Sequence, residues 1–154
     1  MYQTLISFHS LVRWLVLISL IWAIYTAYKG VFLKLKFSKQ HNLIRHWTAT
    51  IAHIQLMLGI LLYSKSPIIN YFWKNTSVAT KSLDTTFFGI IHLILMLVAI
   101  VVITIGSALS KRKATDLEKF KTMLLWFSIA LFIILIAIPW PFSPLANRPY
   151  FRSL

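Results

Sequence analysis

The chain has 154 residues, of which 58% are hydrophobic and only 12% charged. Soluble domains carry about 45–50% apolar and about 25% charged residues, so a soluble fold of this length could not hide the surplus, whereas lipid solvates it. The absence of cysteine excludes disulfides, thiolate metal sites and cysteine nucleophiles. The net charge of +13 would point to nucleic acid in a soluble protein. Here the basic residues cluster at the ends of apolar runs, which membrane orientation and anionic headgroups explain better, so no nucleic-acid partner is expected.

A helical span needs about 20 mostly apolar residues. The first apolar run covers 5–28 and begins after Met1, Tyr2, Gln3 and Thr4. With no basic segment before it and no small-residue cleavage site, it reads as a retained span, not a signal peptide. The connection 29–45 carries Lys29, Lys34, Lys36, Lys39 and Arg45. The second span covers 44–63, and the connection after it, 64–86, has only Lys65, Lys74 and Lys81. That connection also carries Ile68, Ile69, Tyr71, Phe72 and Trp73, an aromatic stretch suited to the membrane interface. Its Asn75-Thr76-Ser77 matches a glycosylation sequon and is read as coincidence. The third span covers 87–107. The connection 110–122 is again basic, with Lys111, Arg112, Lys113, Lys119 and Lys121. The fourth span covers 123–140 and closes on Pro139-Trp140-Pro141, where proline ends a helix and tryptophan suits the headgroup boundary. A tail with Arg148 and Arg152 follows.

Lipid offers no partners for open strand edges, so the expected fold is all-α: a single-domain integral membrane four-helix up-down bundle. The positive-inside rule puts the two basic connections in the cytoplasm and both termini outside. No internal repeat and no low-complexity tract interrupts this plan.

Chemistry is sought among polar residues inside the spans. An ionisable side chain in hydrocarbon costs about 2.5–3.5 kcal/mol on insertion scales, so it needs a partner and marks a candidate site. These residues are His9, Arg13, His46, His53 and His92, with Gln55 as a neutral companion. His46, between Arg45 and Trp47, reads as an interfacial anchor, and His41 as a solvated loop residue. No carboxylate lies within a span, which argues against a carboxylate proton relay or an acid pair for hydrolysis.

His9 and His92 fall at one depth near the outer end of their spans, at about 1.5 Å per residue. Spans one and three are diagonal in an up-down bundle, so these two histidines can face each other and hold a haem b, one imidazole on each side of the iron. Arg13 shares the face of His9, four residues on, and either suits a haem propionate or another anionic headgroup or simply snorkels to the outer headgroups. His53 is the alternative ligand, or a contact for a quinone carbonyl. Met57 and Met96 read as packing residues, while Gly59 and Gly89 make room for a macrocycle or a neighbouring helix. Three histidines would suit zinc or copper only if helix rotation gathers all three. Histidines that merely hydrogen-bond between helices would suit a non-enzymatic accessory or assembly subunit of a larger membrane complex. The apolar face of span four would then serve for docking or equally face lipid. Transport is disfavoured by the lack of membrane carboxylates and of discontinuous helices.

Four segments carry a resemblance. They are Phe8-His9-Ser10-Leu11-Val12-Arg13-Trp14; Ala52-His53-Ile54-Gln55-Leu56 with Gly59; His92 with Met96, Ala99 and Gly106; and Ile138-Pro139-Trp140-Pro141-Phe142. Together they resemble a family of small four-span bacterial membrane proteins labelled cytochrome b-like. The resemblance implies a bacterial cytoplasmic membrane, haem b, and His9, Arg13, His53 and His92 as site residues. The family often has an acid before the span-three histidine and a proline after it. Here the neighbours are Ile91 and Leu93, which removes the buried acid and the kink. The resulting expectation is a haem b protein that passes electrons near the outer face, with a quinone as a candidate partner.

Overall fold

The computed structural model describes residues 2–151. Met1 and residues 152–154, including Arg152 of the tail, lie outside the described residues. All regular structure among the described residues is helical: α1 Tyr2–Phe32, α2 Lys39–Lys65, α3 Pro67–Lys74, α4 Thr76–Ala79, α5 Leu83–Thr86, α6 His92–Arg112 and α7 Asp116–Ala137. A π-helical turn, Phe87–Ile91, joins α5 to α6. Four helices are long and apolar enough to cross a membrane: Tyr2–Phe32, Lys39–Lys65, Leu83–Arg112 and Asp116–Ala137. Each packs on its neighbours in the chain, and α7 returns to α1, so α1 and α6 stand diagonally across the bundle.

The helices overrun the apolar stretches because their ends are capped. Lys34, with φ 49°, takes the left-handed conformation that stops α1. The amide of Leu35 bonds back to the Gly30 carbonyl at 3.1 Å, which makes the termination a Schellman motif built without glycine. α2 opens on a capping box. The Ser38 hydroxyl accepts from the His41 amide at 3.4 Å, and the His41 ring accepts from the Ser38 amide at 3.1 Å. His41, expected in a solvated loop, is therefore a capping residue, and its ring lies 4.9 Å from that of Phe120. Thr115 and Glu118 form the same box at the start of α7. α7 ends at Ala137 because Ile138 precedes a proline and is held extended, at φ −74° and ψ 129°.

The aromatic second connection forms a short helix, α3, opened by Pro67 at its first turn and anchored by buried Ile69 and Phe72. At the basic end the bundle is filled. Leu20, Ala23, Ala27, Ile103, Phe120, Met123 and Phe127 are fully excluded from solvent. Gly30 leaves its place to the Phe120 ring, and Gly106 to Trp126. Arg45 is buried there, donating to the Ser107 carbonyl at 3.0 Å, to the Ser107 hydroxyl, and to Asn42 at 2.9 Å.

Candidate functional site

At the opposite end the four helices part around a cavity of about 210 Å³. Its polar walls include His9, Ser10 and Arg13 from α1, Gln55 from α2, and His92 from α6. Leu56, Met96, Ile100 and Ile134 supply apolar lining. The cavity reaches the protein surface beside Ile60 of α2 and Pro149 of the tail, both exposed.

His9 and His92 face each other across it, with ring centres 6.4 Å apart and planes at 70°. Two local features aim His92. The π-helical turn changes the facing of α6 just before it, and Gly89 within that turn lets the Phe72 ring of α3 pack in. A Cβ on Gly89 would come within 2.7 Å of that ring, so this glycine serves a helix contact. The Gly89 carbonyl accepts from the Tyr63 hydroxyl at 2.8 Å, which in turn accepts from the Trp73 indole at 2.9 Å. His92 Nδ1–H donates to the Ala137 carbonyl at 2.8 Å, the last residue of α7, leaving Nε2 with the lone pair.

His9 is held differently. The Gln55 amide donates to the His9 carbonyl at 2.9 Å and lies 3.3 Å from its Nε2. That contact makes Nε2 the acceptor and Nδ1 the protonated nitrogen. Both His9 Nδ1 and Gln55 Oε1 are buried without a hydrogen-bond partner among the described residues. Orphaned buried polar atoms cost about 1–3 kcal/mol each, and facing a cavity they are what a ligand would satisfy. Gly59 carries no side chain where the His9 ring lies; a Cβ there would sit 3.4 Å from the ring.

Arg13 lines the same cavity and donates to the Tyr150 carbonyl at 2.7 Å, which Trp14 also reaches at 3.3 Å. The tail thus folds back over this end of the bundle. Arg148 within it lines the cavity, bonds Asp84 at 2.8 Å and lies over the Phe88 ring at 4.6 Å. In the sequence alone Arg148 is a tail charge. Its acid partner is 64 residues away, so no local pattern reveals it.

His53 does not join the cavity. It is exposed on the bundle surface, with Nδ1 donating to the Ala49 carbonyl at 2.7 Å and Nε2 3.0 Å from the Thr104 hydroxyl. His46 is exposed beside Trp47, with ring centres 6.1 Å apart. Among the described residues no three histidines or acids gather to hold a metal ion.

The fit of a haem can be judged on these walls. Two imidazole–metal bonds of about 2 Å, with roughly 1.2 Å from each nitrogen to its ring centre, span about 6.4 Å when collinear. The 6.4 Å separation matches that span. His92 shows the arrangement of a metal-ligating histidine, with the outer nitrogen fixed on a backbone carbonyl. His9 would have to turn its ring away from the weak Gln55 contact to offer a lone pair. The cavity volume of about 210 Å³ lies below the about 300–1,000 Å³ usual for ligand sites, so a macrocycle would extend into the cavity's open sides. The spacing of the pair suits one iron, His9 in its present orientation offers no lone pair to it, and the cavity volume takes only part of the ring. Comparison with family models, with curated proteins and with solved structures returns no match to this chain.

Proposed function

We propose that the protein is a haem b electron carrier of the bacterial cytoplasmic membrane, with its site in the outer half of the bundle. The observation that carries this reading is the diagonal pair His9 and His92, which meet across a mostly apolar cavity with ring centres 6.4 Å apart, a spacing that would let both hold one iron. His92 would ligate through Nε2, His9 through the nitrogen turned to the cavity, and Arg13 would meet a propionate. His53, engaged elsewhere by both ring nitrogens, is left out of this assignment. Haem iron supplies one-electron transfer. The chain's own part is to fix two imidazoles on rigid helices and keep water from them. A carrier needs no proton-relaying acid; Asp84, which the structure includes at this end of the third span, is paired with Arg148.

The test is a reduced-minus-oxidised absorption spectrum of the detergent-purified protein, with a pyridine haemochrome assay for stoichiometry. The expected result is a six-coordinate haem b α-band near one haem per chain. His9→Ala and His92→Ala should each abolish that spectrum, and His53→Ala should leave it intact. A clean preparation with no Soret absorption, even with haem supplied during expression, would end this reading.

A second reading is favoured by the cavity volume. A quinone headgroup is small enough for 210 Å³. One of its oxygens would accept from His9 Nδ1–H while the reduced form donates to His92 Nε2, and the tail would leave toward lipid beside Ile60. Protection of the two histidines by a quinone analogue, in a haem-free preparation, would favour it over the first.

A further inference from the structure

We infer that the groove between α1 and α2 toward the basic end seats an anionic phospholipid, with an acyl chain between Trp22 and Trp47 and the headgroup on Lys29 and Lys39. The groove lies apart from the histidine cavity, so the seat stands whether or not haem is bound.

The groove, of about 240 Å³, is lined by Ser19 and Trp22 of α1 and by Leu43, Ile44, Trp47 and Thr48 of α2. Its form follows from side-chain size. Ser19 and Thr48 are small and stand where the two helices meet, the Thr48 hydroxyl donating to the Ser19 carbonyl at 3.2 Å. Thr48 is buried, while Trp22, Leu43 and Trp47 are more than half exposed and form the rims. The result is a slot with a closed floor and bulky walls. Lipid is the solvent on this face, and van der Waals contact is what a slot offers an alkyl chain beyond a flat surface.

The charge at the outer end of the slot decides which lipid. The Trp22 and Tyr25 rings lie 5.7 Å apart, and the Lys29 ammonium lies 5.5 Å from the Tyr25 ring centre. A line of contacts thus runs from the groove to a cation. Lys29 is seven residues beyond Trp22, about 10 Å along the helix. On α2, Lys39 stands one turn before Leu43, on the same face. The connection 29–45 holds five cations and no acid. One of the five, Arg45, is buried and committed to Ser107 and Asn42. The two acids at this end belong to the other connection and are engaged there, Asp116 with Lys119 at 3.9 Å and Glu118 with Thr115 at 2.8 Å. Among the described residues Lys29 and Lys39 make no ion pair. Ammonium groups about 10 Å outward of paired tryptophans match a phosphate above its acyl chains, since tryptophan favours the boundary between the two.

The full chain is reconstituted in phosphatidylcholine vesicles that carry brominated phosphatidylglycerol or, at equal mole fraction, brominated phosphatidylcholine. Chain-bound bromine quenches tryptophan emission on contact, and the part of the signal lost in Trp47→Phe belongs to the groove. The expected result is a preference there for phosphatidylglycerol of at least about fivefold, the size of one lysine's attraction to an anionic lipid surface. Joint Lys29→Gln and Lys39→Gln substitution should remove most of that preference, with quenching by phosphatidylcholine and the helical circular dichroism signal unchanged. Added salt should weaken it in the unaltered chain. Ser19→Leu fills the floor and should lower it with both lysines in place. Joint Lys111→Gln and Lys113→Gln substitution, on the other basic connection, should preserve it.

Equal quenching by the two lipids, or a preference indifferent to salt, would overturn the assignment. So would a preference lowered alike by either lysine pair, which is the general attraction of a basic face. A preference untouched by Ser19→Leu would place the lipid outside the groove and overturn it as well. A chain that sediments as a dimer, with Trp47 shielded from both lipids, would give the groove to a second copy instead.

Discussion

The two ends of the bundle are made of the same four helices, yet they solve opposite problems. At the basic end the core between the helices is filled, with only a shallow groove on the α1–α2 surface beside Trp22 and Trp47, and the buried polar groups among the described residues have partners close by. Phe120 is enclosed by the Phe37 ring at 4.9 Å, by His41 and by Gly30. The buried Arg45 is met by Ser107 and Asn42. At the histidine end a cavity is kept open, and His9 Nδ1 and Gln55 Oε1 go without partners among the described residues. A bundle that fills the core at one end has no general difficulty in packing. The unfilled end is therefore a local choice, made by the residues that hold the helices apart there. Residual polar atoms in such a place are evidence of a site, and the filled end provides the scaffold that bears their cost.

The sharpest way to break this contrast is to empty the filled end. Phe120→Ala should lower stability by on the order of 3 kcal/mol, the low end of the usual cost of Phe→Ala in a core. Lipid supplies little hydrophobic force between helices, so the loss is mainly of van der Waals contacts. Thermal unfolding in detergent would report it, and ligand affinity measured below the transition should be unchanged. An affinity that falls in step with stability would mean that the two ends are not independent.

A smaller change belongs at the other end. Gly89→Ala places a methyl group against the Phe72 ring, at a cost of about 1–3 kcal/mol for overpacking. Because this contact braces the π-helical turn before His92, the change should also disturb the site, seen as a shifted absorption spectrum or a weakened ligand. A variant that loses stability and keeps an unaltered site would show that α3 only covers the bundle and does not aim His92.

The mildest effect concerns the histidine left out of the cavity. The Thr104 hydroxyl lies 3.0 Å from His53 Nε2 and 2.7 Å from the Ile100 carbonyl, so its one proton serves one acceptor at a time. Thr104→Val should cost only about 0.6 kcal/mol, the average for interhelical hydrogen bonds within a membrane. It should leave the spectrum and the ligand affinity alone. Any change in either would bring His53 back as a site residue.

Particular residues show where sequence reasoning reached and where it stopped. His9 and His92 were paired from depth and helix order alone, because an up-down bundle of four makes spans one and three diagonal. His53 lies at a compatible depth too, and nothing local separated it from the other two. Its outward facing is a matter of rotation about the α2 axis. In a soluble protein an amphipathic stripe fixes that rotation. Here lipid accepts apolar side chains on every face, so the stripe is absent and the packing of α2 against α1 and α6 decides. His41 was lost to the loop for a related reason, since the capping box it forms with Ser38 uses a ring nitrogen where Glu or Gln is the familiar partner. Arg148 was out of reach because its meaning depends on Asp84 and on the path of the tail.

The sequence by itself determined that there are four helices long and apolar enough to span a bilayer. It also separated the two basic connections from the rest and named the ionisable residues that lie in apolar surroundings. These are properties of composition over 20 residues or fewer, and the cost of burying charge or unpaired backbone in lipid makes them almost independent of what the rest of the chain does. Only the tertiary structure decided which of those residues meet. It turned His9 and His92 toward each other, sent His53 to the surface, placed a π-helical turn before His92, and brought Arg148 to the cavity of Arg13. Each of these depends on helix rotation or on chain crossing. In a membrane both are set by side-chain packing between helices, and that packing has no signature along the sequence.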